Sequence, residues 1–207
     1  MKIFGNPMST CTRKVLMALG EKQAKFELVT LDFMKGEHKA PANMARQPFG
    51  QMPSLEDGDF KLFESRAMIR YIDETLPGQA LCPKDAKTRA HMNQWMSVES
   101  EDFTPHLMTV VSQEMFVPMQ GGKPDTVKVE EAKKKLAPAL AVLDKHLSSS
   151  GPHLVGDAFT LADLSYMPYV EYGMKTSAKD MLLGSPHIAA WWKRISERPT
   201  WKHVTAS

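Results

Sequence analysis

Short polar side chains stand at two places where this chain turns from an apolar run into a helical one. Ser9 closes the segment Asn6-Pro7-Met8-Ser9-Thr10-Cys11-Thr12-Arg13, and Glu64-Ser65 follow Phe60-Lys61-Leu62-Phe63. The first turn of a helix leaves amides without partners and carries the positive end of the dipole. An anion, including a thiolate, is favoured there. A plain N-cap role for Ser9 or Thr10 is the simpler alternative. Gln51-Met52-Pro53 lies between the two sites. Proline has no amide proton, so a strand starting there begins at an edge or a special turn. A cis Met52–Pro53 bond would leave the Met52 backbone free to pair with a peptide. The Ser65 hydroxyl and amide suit a carboxylate, and Glu64 suits an ammonium. Together they describe a binding site for the amino-acid end of a peptide; a capped helix with an exposed glutamate is the alternative. Glu37-His38-Lys39 could hold a second carboxylate, or form a solvated charged loop.

The elements that must position these groups are legible from periodicity. A strand over Lys2–Gly5, a helix from about Thr12 to Lys22 and a second strand over 26–32 make a βαβ unit with a parallel strand pair. Pro53–Leu55 and Phe60–Phe63 flank Glu56-Asp57-Gly58-Asp59, a hairpin signal, and 66–74 turns helical. Strand, helix, strand, loop with a weak helix, two strands, helix is a thioredoxin-like layout. The breaker-rich stretch Leu76-Pro77-Gly78-Gln79-Ala80-Leu81-Cys82-Pro83 marks the domain boundary. We expect an α/β domain over 1–78, a linker over 79–88 and an all-α helical bundle over 89–207. In the bundle, one long helical segment runs from Thr88 to Met115, bent near Pro105, and others cover 129–147, 159–170 and 188–198. Thr160 and Asp163 have the spacing of a capping box.

Composition narrows the function classes. With 26 Lys plus Arg against 24 Asp plus Glu in 207 residues, the net charge of +2 leaves no footprint for nucleic acid or an anionic membrane. No apolar run approaches the ~20 residues that cross a bilayer. The two cysteines, Cys11 and Cys82, among fifteen methionines fit a reducing cytoplasm. No Cys-X2-Cys or His-Glu-X2-His spacing supports a zinc site.

The motifs taken together resemble the cytosolic glutathione transferases, most closely the phi class. The matching residues are Met8-Ser9-Thr10 with Arg13-Lys14-Val15-Leu16, Gly36-Glu37-His38-Lys39, Pro48 to Pro53, Phe63 to Met68, and Gly156 to Asp163. The resemblance implies that Ser9 donates a hydrogen bond to the glutathione sulfur. It implies that His38 and Lys39 lie near the glycine carboxylate, that Gln51 and Met52 hold the peptide backbone beside a cis Pro53, and that Glu64 and Ser65 clamp the γ-glutamyl end. Asp163 becomes a folding element. The implied reaction is conjugation of glutathione, a cosubstrate, to hydrophobic electrophiles in detoxification, with peroxidase activity on organic hydroperoxides as a second activity. Neither a metal nor a permanently bound cofactor is required, and the family is homodimeric. The electrophile pocket should lie between the domains, with Met8, Phe33, Met115, Phe116 and Met119 as candidate walls; simple core is the alternative for these. Cys11, two residues past Ser9, departs from the pattern. It leaves a Cys11-dependent thiol transferase or reductive dehalogenase as a rival, beside a non-catalytic interaction module of the same fold.

Overall fold

The computed structural model describes residues 1–206. Two compact units emerge, one formed by Met1–Cys82 with residues 198–206 and the other by Pro83–Glu197.

In the first unit, β1 (Lys2–Gly5), α1 (Thr10–Glu21) and β2 (Glu27–Thr30) form the expected βαβ unit, with β1 and β2 paired in parallel. A single 3-10 turn (Glu37–Lys39) and the short α2 (Pro41–Met44) follow. The hairpin of β3 (Ser54–Asp57) and β4 (Phe60–Phe63) closes through Gly58-Asp59, with Gly58 at φ +60°. That conformation is free of strain only for glycine. α3 (Ser65–Thr75) completes the layout. The sheet order is β2-β1-β3-β4, and β3 runs antiparallel to both neighbours. β1, β2 and β4 therefore share one direction, and four chain segments meet at a single sheet edge: those after β1, β2 and β4, and the one before β3.

α1 holds the sheet together because its apolar positions are buried without a break from Val15 to Leu19. It packs against α3, which buries Met68, Ile69 and Ile72, and Ile3 and Leu55 of the sheet are fully buried in the same unit. Each such side chain contributes at most about 1.5–3 kcal/mol. Lys22 closes α1 and is itself buried, its Nζ 2.6 Å from Asp73 Oδ1. The same carboxylate accepts from the amides of Leu81 and Cys82, each at 2.8 Å. The unit boundary thus falls between Cys82 and Pro83, fixed by a buried charge. α11 (Pro199–Ala206) packs on α1, whereas the sequence placed everything to 207 in the helical domain. The reason is local. Gly20 leaves room for Thr200, whose Cγ2 would lie 2.4 Å from any added Cβ. Arg198 forks onto Glu21 at 3.0 and 2.6 Å.

The second unit is all helix among the described residues: α4 (Ala86–Val98), α5 (Thr104–Val111), α6 (Val117–Met119), α7 (Thr126–Leu147), α8 (Leu161–Gly173), α9 (Lys179–Gly184) and α10 (Pro186–Ser196). α4, α5 and α6 are joined by two π-helical turns, Glu99–Phe103 and Ser112–Phe116. Each π turn directly precedes a helix with a proline in its first turn, Pro105 or Pro118. A proline cannot donate to the preceding turn, and the wider turn absorbs that loss, so the expected bend near Pro105 is a register change. α7 packs on α5 and α10, and α8 packs on α4 and α5. Asp85 and Asp125 cap α4 and α7. Their carboxyl groups are held below the ordinary range mainly by the amides of Thr88 and Lys128.

α8 is buried at every position but Glu171, and its start is the anchor of this unit. Thr160 and Asp163 form the expected capping box. Asp163 Oδ2 accepts from the Thr160 amide (2.9 Å), and Oδ1 accepts from the Leu154 amide and Trp191 Nε1 (2.9 Å each). Asp163→Ala removes a fully buried acceptor of several bonds. The expected loss is about 3–5 kcal/mol, read as a lower urea midpoint with an unchanged slope. Asp163→Asn keeps the shape but sets an amide against the Thr160 N–H, and falls between the two.

Candidate active site

The sheet edge where four segments meet carries each of the polar residues singled out in the first unit. After β1, Asn6 organises the turn: its Nδ2 donates to Leu31 O (2.9 Å), and its Oδ1 accepts from the Met8 amide (2.9 Å). Arg13 Nε donates to Pro7 O at 2.8 Å. These bonds place half-buried Ser9 at the N-cap of α1. Its Oγ accepts from the Thr12 amide at 3.3 Å. A hydroxyl has one proton and two acceptor lone pairs. The cap uses a lone pair and leaves the proton to be donated elsewhere, so capping and donation to a ligand are compatible roles. The first turn of α1 contains no acid, which leaves the positive helix end uncompensated. Cys11 is a half-buried thiol inside that first turn.

After β2, Asp32 folds the loop. Its Oδ1 accepts from the amides of Met34 (2.8 Å) and Lys35 (3.1 Å), and its carboxyl is held below the usual range chiefly by the Lys35 amide. Glu37 Oε2 takes the Asp32 amide at 2.7 Å, so Glu37 staples the loop. His38 is buried beneath Phe33, whose ring stacks on it at 4.5 Å between centroids. Among the described residues His38 Nδ1 has no hydrogen-bond partner. Lys39 is exposed.

Before β3, Gly50 takes φ +62° and the Met52–Pro53 bond is cis. Gln51 is exposed, Met52 half-buried and Pro53 buried. After β4, Glu64 sits at φ +70°, ψ 107° as the N-cap residue of α3, and its side chain makes no capping bond among the described residues. This corrects the expectation that Ser65 caps the helix: Ser65 is the first helical residue and is buried. The leading amides of α3 consequently point out of the helix end with no side chain across them.

The apolar candidates separate. Met8 and Phe33 are exposed, by 58% and 55%, on the first unit's edge segments. In the second unit, Met115 and Phe116 lie half-buried on the second π turn, with Phe116 edge-on to Tyr172 (5.8 Å). Met119 is 74% exposed. Asn43 was not anticipated, since a lone Asn in one short helical turn has no distinguishing pattern. It is buried, and its Nδ2 donates to His38 O (2.7 Å) and Gln51 O (3.1 Å). Among the described residues no cluster of three or more His, Cys, Asp or Glu could hold a metal ion, and no helix is long and apolar enough to cross a membrane.

Positive φ at a non-glycine residue costs roughly 1–3 kcal/mol and persists where surroundings impose it. Glu64→Gly should therefore raise the thermal midpoint while weakening binding of an amino-acid ammonium group. Calorimetry of folding and of ligand binding on the same variant should show opposite signs.

Two family models match the chain. That described as "Glutathione S-transferase, N-terminal domain" matches residues 1–74, and that described as "Glutathione S-transferase, C-terminal domain" matches residues 103–199. Glutathione S-transferase F9 of Arabidopsis thaliana is 39% identical over 100% of this chain and 96% of its own length. Glutathione transferase F7 from Populus trichocarpa is 42% identical, covers 99% of this chain and 97% of its own, and superposes with a TM-score of 0.94. Glutathione S-transferase I from mais, solved with an atrazine glutathione conjugate, is 34% identical over 99% of this chain and 96% of its own, with a TM-score of 0.90. With a thioredoxin-like first domain, a helical second domain and full-length likeness to the plant enzymes, this chain belongs to the glutathione S-transferase family and is of the phi-like type.

Proposed function

We propose that the first unit binds glutathione along the sheet edge, with its sulfur at the Ser9 hydroxyl, and that the enzyme conjugates the thiolate to small hydrophobic electrophiles. The observation that carries this is the Ser9 cap, which engages a lone pair through the Thr12 amide and keeps the hydroxyl proton for a sulfur. The dimensions agree. Four strands span three gaps, about 14 Å, and three extended residues reach about 10–11 Å, to which the γ-linkage adds. The glycine carboxylate reaches His38 and Lys39, the cysteinyl backbone pairs with Met52 beside Gln51 and Pro53, and the γ-glutamyl carboxylate meets Ser65 and the open amides of α3. Glu64 holds the ammonium.

The energetics divide the work. A free thiol of pKa about 8.5 is only about 3% ionised at pH 7. Lowering that pKa by about 2 units takes about 2.7 kcal/mol. A hydrogen bond to a charged group supplies about 1.5–3 kcal/mol and the helix end about 0.3–1 kcal/mol. Thiolate then rises about 25-fold, while its intrinsic nucleophilicity falls about 6- to 10-fold. The net gain is a few-fold, so most of the acceleration comes from holding the electrophile against the sulfur. Met8 and Phe33 offer apolar surface on the same edge; Met115, Phe116 and Met119 are proposed electrophile contacts on the helical unit. A thiolate also attacks a peroxide oxygen, releasing the alcohol, and a second glutathione resolves the sulfenic acid to the disulfide and water. Peroxidase activity on organic hydroperoxides follows from the same site. We also infer a cytoplasmic homodimer in detoxification that needs no metal or resident cofactor.

The test starts with capture on immobilised glutathione and assay with a chromogenic aryl halide. Ser9→Ala should move the thiol's titration in the complex up by about 1–2 pH units with glutathione still bound, and lower turnover near pH 7 by only a few-fold, because the lost thiolate fraction is partly offset by the higher nucleophilicity of the more basic thiolate. Ser9→Thr, which keeps cap and hydroxyl, should retain most activity. Cys11→Ala should turn over like the parent. Inactivity of that last variant, with a mixed disulfide at Cys11 in the parent, would establish the thiol-transferase alternative. Capture without turnover on any electrophile would establish an interaction module.

A further inference from the structure

We propose that Asn43 is a positioning residue for the glycine end of glutathione, acting through His38; this rests on the function proposed above. Asn43 is 2% exposed and His38 8% exposed. The two Asn43 N–H donors go to His38 O at 2.7 Å and Gln51 O at 3.1 Å. They cross-link two segments that the sheet leaves separate, the turn after β2 and the run into β3.

These segments are unequally held without it. Ser54, just past Gln51, is locked between Phe4 and Phe63 in the sheet. The turn around His38 is closed by its own short-range bonds, Lys39 N to Gly36 O (2.8 Å) and Ala40 N to Glu37 O (3.1 Å). Its ties to the rest of the site are the Asn43 amide, the stack of Phe33 on His38 (4.5 Å), close packing at Gly50, where an added Cβ would lie 3.0 Å from Met44 Sδ and 3.3 Å from Lys39 Cγ, and, further along, Arg46 Nε on Glu56 Oε1 of β3 (2.8 Å); of these only the Asn43 amide bonds the His38 backbone directly. His38 itself presents an Nδ1 with no partner among the described residues, a buried polar atom that leaves a bond for a ligand to make. Loss of the Asn43 bonds therefore frees the His38 side more than the Gln51 side. The amide orientation is unambiguous: reversed, Oδ1 would face two carbonyl oxygens. An aspartate of the same shape would do the same, so Asn43→Asp breaks both bonds without changing volume.

The experiment compares glutathione with γ-glutamylcysteine, which lacks the glycine, in parent, Asn43→Asp and Asn43→Ala enzymes. Asn43→Ala, which truncates without adding charge, keeps the test open should the aspartate prevent folding. The KM for glutathione should rise about 10-fold, with kcat at saturation within about two-fold and the thiol's pH profile unmoved, as for lost uniform binding. With γ-glutamylcysteine, parent and variant should have KM values within about two-fold. Equal KM values for glutathione, or the same rise with both peptides, would overturn the role. Binding of neither peptide by the parent enzyme, read by calorimetry, would overturn the functional reading beneath it.

Discussion

β3 runs against β1, β2 and β4, and the organisation of the first unit follows from that polarity. Three strands deliver their outgoing loops to one sheet edge, and the fourth receives its incoming loop there. Ser9, the His38 turn, Gln51-Met52-Pro53 and Glu64-Ser65 are far apart in sequence, yet the register brings the chain to all of them just past a common row, within five residues of it for every one but His38. Phe4 stands opposite Ser54, Ser54 opposite Phe63, and Gly5 opposite Thr30. A one-residue slip in β3 would turn every side chain of that strand to the other face and carry the Met52 backbone out of line with the rest. Ile3 and Leu55, buried opposite each other, specify that register through the core.

Buried carboxylates anchor what the sheet and helices cannot. Asp73 gathers Lys22 and the amides of Leu81 and Cys82. Asp163 gathers Leu154, Thr160 and Trp191. Asp144, only half-buried, accepts from the amides of His187 and Ile188 and so caps α10 from α7 without the same burial cost. In each case a carboxylate on a helix ties irregular chain or another helix end to that helix. Burying the charge is costly and the partners roughly offset it, so the gain is in geometric definition more than in net stability.

Periodicity made much of this visible in advance. The apolar Ile3 and Phe4 of β1 and the unbroken apolar face of Val15–Leu19 fix local structure by burial, and burial is what sequence patterns record; β4 carries no buried residue and was legible from the Asp57-Gly58 turn instead. The Thr160–Asp163 box was readable because both partners lie within one turn. Bonds between distant segments leave no such mark. Nothing in Pro-Ala-Asn-Met-Ala-Arg-Gln over 41–47 distinguishes Asn43 from a solvated residue, and nothing at Gly20 announces Thr200. Ser65 looked like a cap because serine commonly caps. The backbone instead assigns that place to Glu64 at positive φ, a conformation dictated by how β4 leaves the sheet.

The helix starts themselves separate structure from chemistry. In the helical unit α4, α7 and α8 each begin on an aspartate within hydrogen-bond reach, Asp85, Asp125 and Asp163. Their dipoles and leading amides are satisfied internally. α1 and α3, which open on the sheet edge, differ from these: α1 is capped by a neutral hydroxyl at 3.3 Å, and at α3 the N-cap residue Glu64 makes no capping bond among the described residues. An aspartate in place of Ser9 would cap α1 about as well as the serine does, and a carboxylate bonded across either helix start would put a negative charge where we propose that the thiolate and the γ-glutamyl carboxylate bind. On the proposed function, the starts of α4, α7 and α8 are closed by the chain's own side chains, while those of α1 and α3 are the ones that receive an anion. In that reading the incoming ligand supplies at α3 the cap that the chain omits.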